Sequence, residues 1–111
     1  MLFENDFIKR LVRQFAEVAA RLAGLRREGR NEEALEEIDA AYRQLFRMEP
    51  SFIESLDAGS VARLVRDGEL LETYAKLLEE EALVHDATGD TARARSRRAR
   101  ADAVRAAAGP A

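Results

Sequence analysis

The fold class this sequence predicts is all-α: two antiparallel helix hairpins joined by a short helical insert, about five helices in one domain spanning 1–111. Three observations predict it. Much of the 47% apolar fraction is alanine, the best helix former. The chain has only two prolines, no tryptophan and few β-branched residues. Apolar residues recur at spacings of three and four through most of its length, which is the period of a helix face.

The first hairpin is expected over 1–50. Ile8, Leu11, Phe15, Val18, Leu22 and Leu25 form a heptad stripe, widened by Phe7, Val12 and Ala19. This predicts a first helix from about Glu4 to Glu28, with Arg26 and Arg27 in its last turn and Gly29 as its stop. A stripe this wide suits packing on more than one neighbour. Asn31 is the expected N-cap of the second helix, with Glu32 and Glu33 in its first turn. Its apolar face is Ala34, Leu35, Ile38, Ala41, Tyr42, Leu45 and Phe46, and Pro50 is expected to close it. The link "GRN" leaves room only for an antiparallel turn.

The insert is expected over 51–68. In "PSFIESL", Ser51 and Glu54 have capping-box spacing. Asp57 then caps a second short helix carrying Val61, Leu64 and Val65, ended by Gly68. The second hairpin follows over 69–108. Its first helix, about Glu69 to Ala87, presents Leu70, Leu71, Tyr74, Leu77, Leu78 and Val84. Gly89 ends it, and Asp90 caps the last helix, Thr91 to about Ala107. Gly109 and Pro110 form a frayed end.

A chain of 111 residues suits one domain, marginal in stability if monomeric. It has no cysteine, which excludes disulfides and thiolate metal sites and suits a reducing cytoplasm. No apolar run is long enough to span a membrane. The start "MLFENDFIKR" lacks the apolar core of a secretory signal. Charged residues make up 35% of the chain, yet the net charge is only −3, so the charges are segregated or paired.

The two hairpin turns match each other. Val18, Leu22, Leu25, Gly29, Ala34, Ile38 and Ala41 align with Leu78, Ala82, His85, Gly89, Ala94, Arg98 and Ala101. The spacings resemble those of a tetratricopeptide helix pair, where small residues let the helices cross closely and glycine takes the turn. The two glycines lie 60 residues apart, not the 34 of a tandem array, and Arg98 stands where the repeat has an apolar residue. The "FENDFI" start, the "GRNEEALEEI" turn and the later "GDTA" turn also resemble a family of small bacterial all-helical proteins, a domain of unknown function. That resemblance implies a helical fold and a bacterial cytoplasmic origin. It implies no activity and no site residues.

Candidate sites are few. His85 is the single histidine, with Glu81 four residues before it and Asp86 after it. The Glu-x-x-His pattern of di-iron bundles is missing, because position 82 is alanine. A core role is expected for His85, with a metal or hydrolase centre as a remote alternative. The acidic runs at 79–81 and around Glu32, Glu33, Glu36 and Glu37 are expected to be solvated. There is no glycine-rich phosphate loop and no nucleophile elbow. A non-catalytic protein is expected, with no cofactor and no metal.

"TGDTARARSRRARAD", Thr88 to Asp102, is the most charged stretch. From Thr91 to Arg105, six arginines stand against one aspartate, a net charge of +5. Such a stripe suits a phosphate backbone. However, it carries no aromatic residues for stacking bases, and the chain as a whole is acidic. Each hairpin also pairs a basic helix with an acidic one, so cross-helix ion pairing is the first expectation. The sequence therefore points to a protein–protein interaction module, a small scaffold or adaptor. Arg93, Arg97 and Arg100 would present a charged face to an acidic partner segment. Phe7, Leu11 and Phe15 would mediate homodimerisation. Nucleic-acid binding through the same arginines is the alternative.

Overall fold

The structure, a computed structural model, describes residues 5–109. Six helices and no strand occur among the described residues: α1 (Asn5–Arg27), α2 (Asn31–Phe46), α3 (Pro50–Ser55), α4 (Ala58–Val65), α5 (Gly68–Ala87) and α6 (Thr91–Ala108). The all-α expectation holds, with the insert folding as two short helices. The expected start at Glu4, and Pro110, lie outside the described residues.

Both long turns have the same geometry. Gly29 and Gly89 adopt φ of 73° and 85°, a conformation other residues enter at a cost. At the first turn, Arg30 N donates to Leu25 O (2.8 Å) and Gly29 N to Arg26 O (3.1 Å). At the second, Asp90 N donates to His85 O (2.8 Å) and Gly89 N to Asp86 O (3.1 Å). These are paired Schellman closures, and they satisfy the last carbonyls of α1 and α5.

Five residues at helix boundaries have other jobs than expected. Asn31 is the first helical residue of α2; Arg30 takes the cap position and makes no side-chain cap bond. Pro50 does not close α2, which ends at Arg47 in the left-handed conformation (φ 54°); Pro50 instead opens α3, where its missing N–H costs nothing. Ser51 and Glu54 form no capping box, since Glu49 is the N-cap of α3 and no side chain caps that helix. Gly68 does not stop α4. Arg66 does so at φ 58°, and Asp67 then caps α5 by accepting from Leu70 N (2.9 Å). Asp57 and Asp90 cap as expected, accepting from Ser60 N (2.7 Å) and Arg93 N (3.1 Å).

Helix α5 runs through the middle of the molecule and packs against α1, α2 and α6. Leu70, Leu71, Tyr74, Ala75, Leu77, Leu78, Ala82 and Val84 are all buried, so almost every side of the helix faces protein. Helix α6 contributes only small residues to this core: Ala94, Ala101 and Val104. Its contact with α5 is nevertheless the most extensive in the molecule, because alanines allow close approach. Helix α4 covers another side of α6 with Val61 and Val65 buried. Tyr74 anchors the centre, meeting Phe46 and Tyr42 edge-to-face at 4.8 and 5.9 Å between ring centroids.

Candidate functional site

The two hairpins and the insert converge on an open cleft of about 480 Å³. Helical spacing builds each wall. Leu35, Ile38, Asp39 and Tyr42 share one face of α2, Glu81 and His85 stand four apart on α5, and Arg93, Ser96 and Arg97 share a face of α6. Glu54 joins them from α3.

Glu81 is the hub. Its Oε1 accepts from the Tyr42 hydroxyl (2.7 Å) and lies 3.9 Å from Arg97 Nη1. Its Oε2 is 3.0 Å from His85 Nε2. The side chains of Glu81, His85 and Arg97 are 17%, 6% and 15% exposed. Burial raises the Tyr42 pKa well above that of a free phenol, and the charge of Glu81 and its hydrogen bond push it further the same way. Tyr42 therefore remains a neutral donor at physiological pH.

Arg97 grips Glu54 with both terminal nitrogens, the Nη2–Oε2 contact measuring 3.1 Å. Burial works against its charge, but the hydrogen bond and charge of Glu54, aided by Glu81, outweigh that and raise its pKa. Arg100 is also committed internally. It donates to the Tyr74 hydroxyl (2.7 Å) and to the carbonyls of Leu56 (2.9 Å) and Ile53 (2.8 Å). Ile53 O also accepts from Leu56 N (3.1 Å), whereas Leu56 O receives no backbone donor among the described residues, so Arg100 serves as a clamp on the C-terminal end of α3.

The expected charged face is thus divided. Arg97 and Arg100 hold the insert, and Arg93 alone stays at the cleft rim, 71% exposed. Two more arginines of α6 follow the pairing expectation: Arg98 meets Asp86 at 2.5 Å, and Arg105 binds Glu72 and Glu79 at 2.9–3.0 Å, while Arg95 is exposed and lies outside the cleft lining.

The acidic run at 79–81 departs from the solvated reading. Glu79 pairs with Arg105, Glu80 with Arg26 of α1 (3.4 Å), and Glu81 with His85. His85 is buried, as a core residue should be, yet it also lines the cleft. Among the described residues no cluster of three or more potential ligands could hold a metal ion.

The expected self-association residues fare differently from one another. Leu11 is part of the core, which leaves little of its side chain for a second subunit. Phe7 is half-buried, with the Arg47 guanidinium 3.9 Å above its ring. Phe15 is half-buried and lines an outer groove with Leu83, which is exposed.

Sequence reasoning missed Glu54 and Tyr42 as site residues. Tyr42 carried a signal, since a phenol on an apolar helix face needs a partner once buried. Glu54 carried none, because its partner lies 43 residues away in α6. No family model, curated protein or solved structure matches the chain. No described helix is long and apolar enough to cross a membrane.

Proposed function

We propose that the protein is a non-catalytic protein–protein interaction module, a small scaffold with tetratricopeptide-like hairpins, and that the cleft between them is its recognition surface. One observation carries the reading: an open cleft lined by all three parts of the fold, with an apolar floor and a charged rim. A hydrogen-bonded network centred on Glu81 lies under it, which supports a preorganised surface. Catalysis draws little support. His85 is spent on Glu81, and among the described residues no hydroxyl nucleophile bonds to it, Ser96 included.

Self-association is proposed through the outer groove where Phe15 lies beside Leu83, with Lys76 and Glu80 at its edge. Sedimentation at micromolar concentration tests it, and a monomer throughout would end that part of the proposal. Nucleic acid draws less support, because Arg97, Arg98, Arg100 and Arg105 spend donors on internal partners.

The cleft itself is tested by selecting binders from a random peptide library on the full chain. Ser96→Trp, at an exposed position on the cleft wall, should block it and abolish binding of the selected peptides while leaving helicity intact. Equal binding by the wild type and Ser96→Trp would sink the proposal.

A further inference from the structure

The geometry points to one kind of occupant for the cleft: a partner peptide segment that places a carboxylate side chain next to an apolar one. The carboxylate would meet Arg93, and the apolar side chain would lie over Leu35 and Ile38. This inference rests on the reading of the cleft as the recognition surface.

Charge accounting around the cleft carries it. Asp39 already accepts from Arg43 at 3.0 Å. Glu54 is held by Arg97, and Glu81 is shared by Tyr42 and His85. Counting Arg43, three cations face three carboxylates, and every carboxylate has a donor within hydrogen-bond distance. Arg93 is the exception among the cations. Its guanidinium makes no hydrogen bond among the described residues. The nearest carboxylate oxygen, Asp90 Oδ2, is 3.9 Å away, beyond hydrogen-bond length. The other oxygen of Asp90 is occupied in capping α6. An exposed guanidinium with its donor fork unspent is the natural receptor for a carboxylate, which it can grip bidentately.

The rest of the cleft limits the alternatives. A basic segment would find every wall acid already taken and would meet Arg93 as a like charge. A phosphate backbone needs several unspent cations in a row. The floor beside Arg93 is apolar, with Ile38 buried and Leu35 half-buried. The volume of about 480 Å³ accommodates a few side chains rather than a whole helix.

Calorimetric titration of the full chain tests the inference with two probes, acetyl-Ala-Leu-Glu-Leu-Ala-amide and its counterpart with Gln in place of Glu. The Glu peptide should bind about tenfold more tightly, the value of one charge-assisted bidentate pair. Arg93→Gln should erase that preference, and added salt should narrow it. Equal affinities, a preference that survives in Arg93→Gln, or no measurable binding of either peptide would overturn the inference. So would butyrate competing as well as the peptide, which would assign the site to a free acid. Library peptides that depend on the cleft but lack acidic residues would also remove it while leaving the broader reading standing. Indifference of all peptides to Ser96→Trp would remove both.

Discussion

In the first hairpin, Leu22 of α1 and Ile38 of α2 fill the seam with large, buried side chains. The equivalent positions in the second are Ala82, also buried, and Arg98, whose side chain is exposed and reaches Asp86. The turns that join the helices share a left-handed glycine and the same two closing backbone bonds. The two units therefore share a backbone device and differ in how the seam is filled. Bulk holds α1 to α2. In α5–α6, alanine brings the backbones close, and arginines latch the edges. The freed side-chain length on α6 is what reaches the insert, since Arg97 and Arg100 extend away from the seam to grip α3. A compact seam and a long-armed outer face are two consequences of one alternation of alanine and arginine.

Exchanging residues between the hairpins should break the equivalence most severely at the Ile38/Arg98 position. Ile38→Arg buries a charge with no partner and should cost more than about 4 kcal/mol. Arg98→Ile removes only an exposed pair and should leave the denaturation midpoint close to that of the wild type. Chemical denaturation of both variants checks this, and comparable losses would show that the hairpins are filled alike. Next in size, Leu22→Ala should cost about 2–5 kcal/mol through the cavity it leaves. The reverse exchange, Ala82→Leu, should cost about 1–3 kcal/mol by forcing α5 and α6 apart.

The arginine latches come third. Arg100→Met leaves the Leu56 carbonyl and the Tyr74 hydroxyl without their donor, removes one of two donors from the Ile53 carbonyl, and should cost about 2 kcal/mol. Arg21→Met in the first hairpin removes only an exposed pair with Glu37 and should cost at most about 0.5 kcal/mol. Hydrogen exchange should show α3 opening in the first variant and no change there in the second.

The smallest effect is a dependence on pH. The hydrogen bonds of Arg105, aided by its charge, lower the pKa values of Glu72 and Glu79 below the ordinary carboxylate range. Groups with depressed folded pKa values stabilise fully above about pH 5 and lose that contribution as pH falls through the folded values. Both glutamates are partly exposed, so the loss should be no more than about 1 kcal/mol. Urea midpoints measured from pH 6 to pH 3 should fall less steeply in Arg105→Gln than in the wild type. Parallel slopes would assign the acid sensitivity elsewhere.

The sequence by itself determined the helical class, the two glycine turns and the caps at Asp57 and Asp90. These depend on interactions within a few residues, and local spacing reports such interactions directly. It also carried the pairing of a basic α6 with an acidic α5. The boundaries at Asn31, Pro50 and Gly68 were harder to read, because proline and glycine punctuate a chain without saying which side of the boundary they join. Only the tertiary structure decided which charges are spent. Glu54 and Arg97 lie 43 residues apart, and the Ile53 and Leu56 carbonyls lie more than 40 residues from the guanidinium that clamps them. No periodicity encodes such contacts; they follow from where the insert lands once the hairpins have packed. In the sequence Arg93, Arg97 and Arg100 look alike, at spacings of four and three on one helix face. Folding commits two of them to holding α3 and leaves Arg93 at the edge of the cleft.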